Sequence, residues 1–103
     1  MADPMRIRAK ADNGSTEVRV LMSHPMDTGQ IKDAAGNVIP AHFIQTVTAT
    51  HNGKNVLSST WGAAVSKNPY LFFKFKGGAK GDKVAVTWTD NKGEKRTDTS
   101  DIA

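Results

Sequence analysis

The chain has 103 residues, enough for one domain with a modest core and too few for two. Its 38% apolar and 23% charged residues suit a folded globular chain, and no apolar run approaches the roughly 20 residues of a membrane-spanning helix. Fourteen Lys and Arg against ten Asp and Glu leave a formal charge of +4. The absence of cysteine excludes a disulfide framework, a thiolate nucleophile and a cysteine-based metal site.

Met1 to Pro4 reads as a prefix or a disordered N-terminus ahead of one domain spanning 5–103, and it lacks the basic and apolar regions of a signal peptide. From Met5 to Ala11 apolar and basic residues alternate, predicting a strand with Arg6, Arg8 and Lys10 facing water. Asn13-Gly14 supplies the left-handed conformers of a tight hairpin, and Val18, Val20 and Met22 continue the alternation on the next strand. Asp27 to Asn37 is read as a long loop or a short extra hairpin. A strand rich in β-branched residues follows over 43–50, with Phe43, Val47 and Ala49 on one side and Ile44 on the other.

Asn52-Gly53 predicts a second hairpin into Val56–Trp61. Tyr70–Phe75 and Val84–Thr89 complete the core strands, with Gly77 to Gly81 between them read as a glycine hairpin. Asn91-Lys92-Gly93 then turns the chain into a polar last strand. About seven strands in this length predict an all-β, immunoglobulin-like antiparallel β-sandwich without a disulfide.

Residues able to do chemistry are sparse. Imidazole and thioether groups suit copper, so His24, Met26 and His42 form an alternative metal set. No two of the three histidines lie closer than nine residues, so nothing local assembles such a site. Acyl transfer needs a nucleophile, a base and an orienting group that converge. Ser23 beside His24 does not qualify, because neighbours on an extended chain point to opposite faces. The segment Tyr70-Leu71-Phe72-Phe73-Lys74-Phe75-Lys76 interleaves aromatic and basic residues, as a single-strand nucleic-acid platform does. Core burial of Leu71, Phe73 and Phe75, with Lys74 and Lys76 facing solvent, accounts for the alternation fully. It leaves Tyr70 and Phe72 outside, and with Leu21, Ile44 and Leu57 they are the candidate partner-binding residues.

Two stretches are dense in motif. The first is Ser23-His24-Pro25-Met26-Asp27-Thr28-Gly29, continuing to Ile39-Pro40-Ala41-His42-Phe43-Ile44. The second is Ser66-Lys67-Asn68-Pro69-Tyr70, followed by Phe72-Phe73-Lys74-Phe75, Gly81-Asp82 and Trp88-Thr89-Asp90-Asn91-Lys92-Gly93. From about Met5 to Gly93 they resemble, in order and spacing, the SoxZ family, the cysteine-free subunit of the SoxYZ carrier complex of bacterial sulfur oxidation.

The resemblance implies a non-catalytic, cofactor-free sandwich that pairs with a SoxY-like subunit. That partner's C-terminal cysteine arm carries sulfur intermediates between Sox enzymes during thiosulfate oxidation. It also implies a periplasmic location, reached by export with the partner, and transient contacts with other Sox enzymes. The two signature loops, through His24, Pro25, Met26, Lys67, Asn68 and Pro69, are the candidates for enzyme docking. Lys67, Lys74 and Lys76 are candidates for attracting anionic intermediates. Neither nucleic acid nor a membrane is the expected partner, and pairing with a second copy through the uncovered patch is an option open to the isolated chain.

Overall fold

A computed structural model of the chain describes residues 3–30, 32–62 and 65–103. Met1 and Ala2 of the expected prefix lie outside the described residues. Seven strands form: β1 (Arg6–Asp12), β2 (Ser15–Leu21), β3 (Ile44–His51), β4 (Lys54–Thr60), β5 (Tyr70–Lys76), β6 (Lys83–Asp90) and β7 (Lys95–Asp101). They make two antiparallel sheets, one ordered β1-β2-β5 and the other β4-β3-β6-β7. This is the immunoglobulin-like sandwich that the strand spacing predicts.

Local chemistry sets the two tight hairpins. Asn13 and Gly14 adopt φ of 48° and 83°, and Asn52 and Gly53 adopt 49° and 86°. Two consecutive positive φ values match the right-handed twist of the flanking strands, and Asn-Gly reaches them at least cost. The alternation then buries one side of each strand. Val18 and Val20 of β2, Val47 and Ala49 of β3, Phe73 and Phe75 of β5, and Val84, Val86 and Trp88 of β6 meet between the sheets. The free edge of β1 is closed by the C-terminus, where Ala11 N–H donates to Ala103 O and Ala103 N–H to Ala9 O. Met5 N–H donates to Asp98 Oδ2 beside it.

Two expectations need correction. The glycine stretch 77–81 is not a hairpin, because β5 and β6 belong to different sheets; it carries the chain across the sandwich. Ile44 does not face outward. The pairing of β3 with β6 shifts register between Ile44 and Thr46, and that irregularity turns Ile44 into the core, where it is fully buried. The ambiguous stretch after Asp27 is a long connection from β2 to β3, with one bridge between Lys32 and Val38 closed around Asp33–Asn37.

Candidate functional site

At one end of the sandwich the motif-bearing loops are stitched together by backbone contacts. His24 N–H donates to Asn68 Oδ1 (3.0 Å), and Asn68 N–H returns a bond to His24 O (2.9 Å). Met22 N–H donates to Pro69 O, which joins the first signature loop to the second. Asp27 and His42 exchange both backbone bonds (2.7 and 3.0 Å). Asn91 clamps the third side, donating from Nδ2 to Ala41 O and accepting Phe43 N–H on Oδ1. Met26 and Asn68 hold positive φ (50° and 52°), strain that a methionine accepts only where its surroundings fix it.

Asp90 is the hub of this end, at 2% exposure. Met26 N–H donates to His24 Nδ1 (3.1 Å), so the neutral ring carries its proton on Nε2 and donates it to Asp90 Oδ2 (3.0 Å). His42 Nε2 reaches the same oxygen at 2.7 Å. The other carboxylate oxygen accepts Lys92 N–H and Glu94 N–H. Burial alone would push the Asp90 carboxyl up. The donors from His24, His42, Glu94 and Lys92 outweigh it and hold the group below the usual carboxylate range. The His24 ring stands edge-on to both His42 and Trp88, at 4.5 and 5.0 Å between centroids.

Two chemistries are tested by this geometry. His24, His42 and Asp90 present donor atoms within 4.8 Å of one another, a spacing compatible with a metal. The Met26 N–H bond, however, commits His24 Nε2 to a proton and not to a lone pair. The sulfur of Met26, expected in the copper set, accepts Ile44 N–H instead (3.4 Å). A histidine braced by a carboxylate also supplies two of the three members of a catalytic triad. Among the described residues no hydroxyl is hydrogen-bonded to either ring, and Ser23 Oγ turns to Asp3. The cluster is a polar lock that holds loops. Above it lies a cleft of about 420 Å³ lined by Ser23, His24, His42, Lys67, Asn68 and Trp88. The Trp88 N–H, wholly buried, has no acceptor among the described residues.

The docking-loop residues divide accordingly. Pro25, Lys67 and Asn68 are exposed around the cleft, while His24, Met26 and Pro69 are buried and act on loop shape. The second candidate surface is the outer face of β1-β2-β5. Tyr70 and Phe72 are 62% and 45% exposed there, and Leu21 is paired directly with Tyr70. Leu57 is half-buried on β4 in the other sheet, packed on the core, and does not join them. Lys74 pairs with Glu17 (3.3 Å) on the same outer face.

The family model described as sulphur oxidation protein SoxZ matches residues 5–101. The chain belongs to the SoxZ family. Membership gives it a role in sulfur oxidation. Among curated proteins, none matches the chain. The SoxZ match spans every motif that meets at the Asp90 end. In the sequence Asp90 stands only as one member of the motif Trp88-Thr89-Asp90-Asn91-Lys92-Gly93, with no role of its own. Its part as hub depends on His24 and His42, which lie 66 and 48 residues away.

Proposed function

We propose that the chain is the non-catalytic subunit of a two-subunit sulfur carrier in thiosulfate oxidation. It pairs with a SoxY-like subunit whose C-terminal cysteine arm holds the sulfur intermediates. One observation carries the reading: a SoxZ-family chain without cysteine displays Leu21, Tyr70 and Phe72 together on an otherwise polar sheet face. Exposed aromatic clusters of this kind mark protein interfaces. The histidine–aspartate cluster supports a non-catalytic role, since both rings spend Nε2 on Asp90 and His24 spends Nδ1 on Met26 N–H. Pro25, Lys67 and Asn68, fixed around the cleft, are suited to brief contacts with the enzymes that service the arm. The complex works in the periplasm, and this subunit is exported with its partner.

Co-expression with the SoxY-like subunit of the same organism, followed by size-exclusion chromatography with light scattering, tests the pairing. A one-to-one complex is expected. Tyr70→Ala with Phe72→Ala should weaken it about a hundredfold, as loss of interface anchors does, with the fold retained by circular dichroism. Two folded proteins that never associate would refute the reading. Fractionation of the native host tests the compartment, with the complex expected in the periplasmic fraction.

A further inference from the structure

The outer face of β1-β2-β5 differs from the rest of the molecule in charge. Strand alternation and register bring Arg6, Arg8, Lys10, Arg19, Lys74 and Lys76 onto it, against only Asp12 and Glu17. Six of the chain's fourteen cationic residues and two of its ten acidic ones lie there. The face therefore holds the whole formal excess of four positive charges, and the remaining residues balance at eight against eight.

Folding alone does not favour this arrangement. Arg8 stands directly opposite Arg19 in the β1–β2 pairing, and like charges facing across a strand pair repel. Arg19 leans its guanidinium over the Phe72 ring at 5.5 Å from the centroid. Lys74 is offset by Glu17, but no carboxylate answers Arg8 or Arg19 within salt-bridge distance among the described residues. Leu21, Tyr70 and Phe72 occupy one end of the same face, in the rows Arg6–Leu21–Tyr70 and Arg8–Arg19–Phe72. Apolar anchors flanked by arginines form the composition of an interface centre with a charged rim.

We propose that this face is met by a carboxylate-rich protein surface with an apolar recess for Tyr70 and Phe72. This rests on the pairing with a SoxY-like subunit proposed above and names the chemistry of that contact. The acidic surface neutralises Arg6, Arg8 and Arg19, and long-range attraction speeds the encounter while the aromatic anchors hold the complex. A single-stranded nucleic acid fits less well. The two outward aromatics sit side by side at one end and do not follow the line of lysines on which successive bases would stack.

Association and dissociation rates with the SoxY-like subunit of the same organism test the inference. They would be measured at about 0.1 M and about 1 M salt, over which the screening length falls from about 10 Å to about 3 Å. The association rate should drop at least about tenfold, with the dissociation rate much less affected. Arg8→Glu should lower it about tenfold at the lower salt. Lys95→Glu, the same charge change on the outer face of the other sheet, should alter it less than about twofold. Thermal melts confirm that both variants fold.

A complex whose rates ignore salt, or that responds equally to Arg8→Glu and Lys95→Glu, overturns the inference and leaves the pairing standing. No complex at either salt sinks both. Tight binding of a fluorescent oligothymidine, lost in Arg8→Glu, would assign the face to nucleic acid and overturn it as well.

Discussion

Strand β6 is braced at each end by a histidine–aspartate contact, and the two contacts do different work. Asp82, just before the strand, accepts His51 Nε2 at 2.7 Å and Ala79 N–H at 3.0 Å. Asp90, its last residue, accepts two histidines and two backbone N–H groups. Asp82 is partly open to solvent and ties β3 to the adjoining turn, near the tight hairpin of Asn52 and Gly53. Asp90 is closed off and ties together loops that are far apart in sequence. The same chemical pair is a local clip where water reaches the carboxylate, and the organising centre of a site where the carboxylate and the His24 ring are both closed off.

Removing that dependence gives the largest expected effect. Asp90→Ala removes the acceptor of two imidazole and two backbone N–H groups, and strands the buried His24 ring where water does not reach it. A loss of about 3 kcal/mol is expected, as when one partner of a buried pair is deleted. For a domain of this size that lowers the Tm by on the order of 15 °C. Asp90→Asn sharpens the point through pH. The Asp90 carboxyl is held below its ordinary value in the folded state, so folding favours its ionised form. Its contribution is present above the unfolded pKa of about 3.9 and is lost as pH falls through the lower folded pKa. Tm measured against pH should therefore fall less steeply below about pH 4 in Asp90→Asn than in the wild type. Equal slopes would transfer the acid sensitivity to another carboxylate, such as Asp98 beside Arg96.

A smaller effect is expected at the opposite end. Gly78 has φ of +90°, and a Cβ there would overlap Thr16 Oγ1. That hydroxyl is buried and donates to Gly77 O at 2.8 Å. Gly78→Ala should cost about 2 kcal/mol in chemical denaturation, combining backbone strain with the displaced hydroxyl. Gly77→Ala meets open space at a similar φ and should cost about 1 kcal/mol. Equal losses would mean that conformation alone, without the contact, sets the cost.

Asp82→Asn should be the mildest of these changes, lowering the Tm by well under half of the Asp90→Ala effect. His51 and Ala79 N–H can turn to water once the carboxylate is gone. A loss as large as that of Asp90→Ala would show that burial is not what separates the two ends.

Much of this was legible before folding. The hairpins at Asn13-Gly14 and Asn52-Gly53, and the alternation that buries Val18 and Phe73, follow from short-range rules applied to adjacent residues. So did the outward placement of Tyr70 and Phe72. Ile44 was misplaced because a register shift depends on how β3 meets β6, and its own neighbours carry no sign of it. The glycine stretch 77–81 reads as a hairpin to any local rule, since a crossover and a turn use the same residues. Asp90 is visible in its motif, but its role at the centre of the candidate site is not, because its histidine partners come from other loops.

The sequence by itself determined the class of fold, the strands, the faces they turn to water except at Ile44 and Leu57, and the SoxZ membership. Each of these rests on periodicity or on ordered motifs along the chain. Tertiary structure alone decided that His24, His42 and Asp90 form one lock, and that Met26 N–H fixes the proton on the His24 ring. It also decided that every surplus positive charge gathers on one sheet face. Those facts depend on which strands become neighbours and in what register, and side chains separated by dozens of residues acquire a common environment only when the chain closes.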